Sequence, residues 1–165
     1  MSQTTLPSTT RLCLHLIAWT SLAAVGVALV SQHLFEMQPC AWCVFQRLLY
    51  LCLAVVCWLG LLAGRLAPVG ARIACALAAL LAFGGIATAW YQYDVAANMF
   101  SCAQTFADRF MVSSGLDAGA PWLFGIYATC MDAKVELFGL EYALWSLGLF
   151  AALALAALVG LRTRR

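Results

Sequence analysis

Four stretches of this chain run for about twenty residues with almost no formal charge, and no soluble fold hides that much apolar surface. Leu12 to Val30 is nineteen residues with His15 as its sole ionisable group. Val44 to Ala63 is interrupted only by Gln46 and Arg47 at its start, and Ile73–Tyr91 and Tyr142–Leu161 carry no charge at all. At 1.5 Å per residue, nineteen helical residues reach about 28 Å, close to the hydrocarbon thickness of a bilayer. Composition agrees: 65% of residues are hydrophobic and 10% charged, against roughly a quarter charged in a soluble domain. The first run is too long for a cleaved signal peptide, and no small-x-small site follows it. The expectation is an all-α membrane protein, one integral domain over residues 1–165. It is a four-transmembrane-helix bundle with spans near 12–30, 44–63, 73–91 and 142–161.

Charge placement orients the bundle. An even number of spans puts both termini and the polar turn Gly64–Arg72 on one side. That side carries Arg11, Arg65, Arg72, Arg162, Arg164 and Arg165 and no acid. The opposite side carries all seven carboxylates and only Arg47, Arg109 and Lys134. By the positive-inside rule the termini are cytoplasmic. A short loop (31–43) and a long one (94–141) then face outward, where aromatics such as Trp42, Trp90, Tyr93 and Trp145 cluster at the ends of the spans. In a bacterium this places both loops in the periplasm, a compartment where disulfides persist.

Of eight cysteines, Cys13, Cys52, Cys57 and Cys75 lie inside apolar runs and read as soft packing residues. The other four, Cys40, Cys43, Cys102 and Cys130, lie outside them. A Cys102–Cys130 disulfide would serve as a loop staple, but Cys40 and Cys43 close too small a ring to stabilise much. A Cys₄ zinc site wants two short pairs, whereas Cys102 and Cys130 stand 28 positions apart. Haem attachment fails because Val44, not His, follows Cys43. A redox pair is the better use of Cys-x-x-Cys. Arg47 stands four residues after Cys43, so a helix beginning near Cys43 puts both on one face, and a cation there favours thiolate. The chain shows no flavin, haem, metal or nucleic-acid motif, so electrons from such a pair need a diffusible acceptor. At the depth of Arg47 that acceptor is a membrane quinone, whose reduced oxygen a guanidinium would stabilise.

These features together resemble the disulfide bond formation protein B (DsbB) family, quinone-coupled thiol oxidases of bacterial inner membranes. The resemblance rests on four spans, Cys40-x-x-Cys43-x-x-x-Arg47 opening the second, a long outer loop with two cysteines, and Phe138-Gly139-Leu140-Glu141 before the fourth span. It covers nearly the whole chain. The vitamin K epoxide reductase group is the nearest rival, but its redox pair lies in a late span. A four-span scaffold with a stapled outer loop is the alternative from another class.

The resemblance implies a protein-dithiol:quinone oxidoreductase that reoxidises a periplasmic thioredoxin-like (DsbA-like) dithiol. Cys102 would take the mixed disulfide, Cys130 would attack Cys40, and Cys43 would face ubiquinone or menaquinone held near Arg47. The family often has an acid just before the Arg; here it is Gln46.

Overall fold

The computed structural model describes residues 7–98 and 104–163. Among these, four helices are long and apolar enough to cross a membrane: α1 (Ser8–Leu34), α2 (Ala41–Leu66), α3 (Pro68–Asp94) and α7 (Tyr142–Arg162). Each packs on its neighbour in sequence, and α7 fits between α3 and α1, closing an up-down-up-down bundle. Thr10 Oγ1 donates to Gly160 O at 3.0 Å, tying the start of α1 to the end of α7. The start of α1, the end of α7 and the α2–α3 turn therefore share one end of the bundle, and the Cys40 region lies at the other.

The helices outrun the apolar stretches that announce them. The span expected over 12–30 is helical from Ser8 to Leu34, and the one expected from 44 begins at Ala41. The loop placed at 31–43 shrinks to six residues, 35–40, and Cys43 sits in the first turn of α2. The polar turn placed at 64–72 is a single non-helical residue, Ala67, because Pro68 opens α3 at a position where its missing N–H costs nothing. Hydropathy marks where a helix meets lipid, not where its backbone ladder stops.

Small residues let the helices approach. Ala71, Ala74, Ala78 and Ala82 of α3 are buried against Leu53 and Cys57 of α2 and against Phe150, Leu153 and Ala157 of α7. Gly85 faces the Phe150 ring so closely that a methyl group there would overlap it, whereas its neighbour Gly84 faces open space. Phe150 in turn stacks on Tyr50, with centroids 4.1 Å apart and planes 3° from parallel. Cys13, Cys57 and Cys75 are buried at helix contacts.

The segment expected as a long loop carries structure of its own. A capping box between Thr105 and Asp108 starts α4 (Phe106–Ser113), followed by the single turns α5 (Leu116–Gly119) and α6 (Pro121–Phe124). These lie over the start of α2: Met111 and Phe124 bury Val44, and Phe45 meets Phe106 and Phe110 edge to face. Phe124 of the stretch 121–125 is buried and Trp122 exposed, so only one side of it is free to meet lipid headgroups. A hairpin of β1 (Glu136–Leu137) and β2 (Leu140–Glu141) leads into α7. Phe138 (φ 55°) and Gly139 (φ 79°) form its two-residue turn, the left-handed pair that such a hairpin requires.

Candidate functional site

Cys40 is the N-cap of α2, and its sulfur accepts from the Cys43 backbone N–H at 3.4 Å. One turn of helix then brings the two sulfurs to 3.0 Å, so a disulfide needs only about 1 Å of closure. The long loop supplies the third thiol. Tyr127 N and Ala128 N both donate to Pro39 O, at 3.1 and 3.3 Å, which pins the loop to the residue before Cys40. Thr129 and Asp132 close a turn around Cys130, with Thr129 Oγ1 donating to Asp132 Oδ2 at 2.6 Å. Cys130 thereby packs against the buried cluster that holds Cys40.

Cys40 is fully buried. The neighbouring Cys130 and Cys43 thiols, and then its burial, hold its thiol well above the ordinary range. Cys43 has different surroundings. It is half-buried, its sulfur accepts from Gln92 Nε2 at 3.1 Å, and Arg47 lies one helical turn beyond it. Two neighbouring sulfurs thus differ: one is enclosed among thiols, the other faces an N–H donor and a nearby cation.

Arg47 does not snorkel toward the headgroups. It is buried, and its guanidinium turns inward across the bundle. Nη1 donates to Gln32 Oε1 at 2.6 Å and to Leu123 O at 3.0 Å, and Nη2 donates to Ala28 O at 3.3 Å. All these partners are neutral, and among the described residues no carboxylate pairs with the guanidinium. Cys43, Arg47 and Cys130 line one cavity of about 700 Å³ between α1, α2 and α7, together with Gln46, Gln92 and Ser146. The rest of its wall is largely apolar, from residues such as Ala24, Val27 and Leu149.

Four of the five residues singled out from sequence are placed here: Cys40, Cys43, Cys130 and Arg47. Cys102, the fifth, lies outside the described residues. Gln32, Gln92 and Ser146 were not singled out. The signal that could have found them is uncharged polar side chains near the Cys43 end of three different spans, where such groups face the bundle interior. Among the described residues no group of three or more His, Cys, Asp or Glu is placed to hold a metal ion.

Comparison with known proteins gives one answer. A family model described as disulfide bond formation protein DsbB matches residues 10–160. The chain is similar to a disulfide bond formation protein B of Dechloromonas aromatica, 37% identical over 87% of each chain. It is 31% identical to that of Herminiimonas arsenicoxydans, over 84% of this chain and 87% of the relative. It is also 31% identical to that of Pectobacterium atrosepticum, over 87% of this chain and 81% of the relative. A bundle with paired thiols at one end, matched nearly end to end by these relatives, belongs to the DsbB family of disulfide-forming multi-pass membrane proteins.

Proposed function

We propose that this chain is a protein-dithiol:quinone oxidoreductase of the bacterial inner membrane, with both termini cytoplasmic. Its substrate is the reduced form of a periplasmic thioredoxin-like (DsbA-like) protein. The observation that carries the reading is the gathering of Cys40, Cys43 and Cys130 beside an apolar cavity that Arg47 lines while bonded to neutral groups. A quinone ring fits such a wall: apolar surface for its faces and tail, and a few polar donors for its oxygens. The arginines at the opposite end of the bundle support the orientation.

The chemistry is thiol–disulfide exchange, in which each step is attack by a thiolate on one sulfur of a disulfide. A partner thiolate attacks the Cys102–Cys130 disulfide at Cys102; an S–S bond forms there and Cys130 leaves with the electron pair. Cys130 attacks Cys40 of the Cys40–Cys43 disulfide, for which the Pro39 contacts hold it ready, and Cys43 leaves as thiolate. The second partner thiol resolves the mixed disulfide, freeing oxidised partner and reduced Cys102. Cys102 then attacks Cys130, restoring the loop disulfide and releasing Cys40. The Cys40–Cys43 dithiol is left holding two electrons and two protons. A bound quinone accepts both electrons and both protons, becoming a quinol. Arg47 orients the quinone and offers charge where an oxygen becomes anionic, while Cys40 closes back onto Cys43.

A scaffold with a stapled loop has no use for a buried Arg47 or for two cysteines in one helical turn. The test mixes purified protein with a reduced thioredoxin-like donor and a short-tailed quinone, following quinone absorbance. One quinone should be consumed for each donor disulfide formed, and Cys43→Ala should abolish consumption while helical circular dichroism is retained. Undiminished quinone consumption by Cys43→Ala would overturn the reading.

A further inference from the structure

Behind Cys43 runs a chain of hydrogen bonds that crosses three helices. Gln92 Nε2 of α3 donates to Cys43 Sγ at 3.1 Å. Gln46 Nε2 of α2 donates to Gln92 Oε1 at 2.8 Å. Ser146 Oγ of α7 donates to Gln46 Oε1 at 2.6 Å, and Tyr50 Oη lies 3.0 Å from Ser146 Oγ. Gln46, Gln92 and Tyr50 are each buried, so none of these groups has water as an easy alternative partner.

The direction of every bond follows from the sulfur. A thiolate only accepts, so Gln92 must turn its NH₂ toward Cys43 and its carbonyl toward Gln46. Gln46 must then offer its NH₂ to Gln92 and its carbonyl to Ser146. Ser146 has one proton and gives it to Gln46, which leaves its oxygen to accept from Tyr50. A neutral thiol acting as donor would need the whole series reversed. The series therefore turns an N–H, not a carbonyl, toward the sulfur, an arrangement that gains strength when Cys43 is a thiolate.

We propose that Gln92 is a catalytic hydrogen-bond donor to the Cys43 thiolate and that Gln46 and Ser146 are positioning residues that fix its orientation. This deepens the reading of Cys43 as the sulfur that faces the acceptor, and rests on it. Gln46 is the decisive member, because its amide both accepts and donates. An acid at that position only accepts when ionised. The Gln92 amide would then rotate to donate to that acid, turning its carbonyl toward the sulfur.

The titratable and charged groups that share the cavity or its adjoining cluster with Cys43 are Cys40, Arg47 and Tyr50 of the α2 segment, Tyr91 of α3, Tyr142 of α7, and Cys130, Lys134 and Glu141 of the loop. Gln92, Gln46 and Ser146 do not titrate, so this donation persists while those groups change state.

The test is alkylation of the reduced full-length protein in detergent by iodoacetamide at pH 7, with Cys43 resolved by fragmentation mass spectrometry. Only thiolate reacts, so the rate reads the thiolate population. Gln92→Leu should slow Cys43 alkylation about tenfold, as loss of one hydrogen bond to a charged group does. Gln46→Glu should slow it by a similar factor. The double variant separates rotation of the amide from simple repulsion by the new carboxylate. With no amide left to rotate, Gln46→Glu/Gln92→Leu should be little slower than Gln92→Leu alone. Additive losses would assign the effect to charge and overturn the proposal, as would an unchanged rate in Gln46→Glu. Ser146→Ala should slow the reaction about two- to threefold and Ser146→Thr should restore it; equal rates in the two would remove Ser146 from the series. Failure of quinone consumption in the parent protein would refute the function above, but would leave these alkylation rates, and the donor series, standing.

Discussion

Replacing Arg47 by Met isolates what its charge does. Met keeps an unbranched, adaptable apolar stem that suits a helix and removes the guanidinium. Two consequences can be separated. Gln32 loses the donor at 2.6 Å that holds its amide, and Leu123 O loses a donor at 3.0 Å that fastens α6 over α2. Each loss is worth about 1 kcal/mol of local order, partly offset because a buried cation no longer needs to be desolvated. The Cys130 segment is held elsewhere, by Tyr127 and Ala128 on Pro39 O, and should stay beside Cys40. Quinone reduction loses more, since removing one preorganised donor from a developing oxyanion costs about 10²–10³ in rate. Two assays read the two effects. A quinone-free single turnover measures transfer of the protein's own disulfides to the reduced donor, and steady-state absorbance measures quinone consumption. The expected result is a two- to fivefold fall in the first, in keeping with about 1 kcal/mol, and at least a ~100-fold fall in the second. Equal falls in both would mean that Arg47 only supports the fold.

Other consequences follow from particular contacts. Gly85→Ala drives a methyl group into the Phe150 ring and should cost about 1–3 kcal/mol through the Tyr50–Phe150 stack, whereas Gly84→Ala should be nearly silent. Thermal midpoints in detergent check this, and equal shifts at both glycines would contradict the packing described. Cys40 gives a pH dependence with a definite sign. Its thiol is held above the ordinary value in the folded state, so the stability it contributes is full below the unfolded-state value of about 8.5. Above that pH the unfolded chain ionises first and the contribution is lost as pH rises through the raised value. The reduced protein should therefore lose thermal stability above about pH 8.5 more steeply than the oxidised protein, in which Cys40 has no proton to lose. Parallel curves for the two would refute the assignment.

The bundle was legible because each span is an uninterrupted apolar run, and a lipid-facing helix leaves no other pattern. What lay beyond reach was where helices end. Ser31, Gln32 and His33 look like loop, yet α1 continues through them because the Gln32 amide has a buried guanidinium to bond. The proximity of Cys40, Cys43 and Arg47 was legible from spacing, since Cys-x-x-Cys followed by Arg at i+4 is local and needs no tertiary information. The donor to Cys43 and the hydroxyl behind Gln46 were not, because Gln92 and Ser146 stand 49 and 103 residues after Cys43 in the chain. The replacement of the family's frequent acid by Gln46 was visible as a departure, but its meaning depends on Gln92, which only the fold brings to it.

Under the proposed exchange sequence the asymmetry between Cys40 and Cys43 would set the order of attack, and this can be tested without any quinone. Cys130 packs against the buried cluster that holds Cys40 and shifts the Cys40 thiol, while Cys43 spends its hydrogen bonds on Cys40 and Gln92. An incoming Cys130 thiolate therefore meets Cys40 first, and the sulfur it expels is the one with a donor to receive negative charge. The better-placed pair should also close faster under mild oxidation. In a Cys43→Ser background a Cys40–Cys130 disulfide should form at least ~10-fold faster than a Cys43–Cys130 disulfide forms in a Cys40→Ser background, because only the first pair begins in contact. Non-reducing peptide mapping at successive times gives both rates. Comparable rates would show that Cys130 reaches either sulfur with equal ease, and the direction of electron flow would then need a cause other than the placement of this loop.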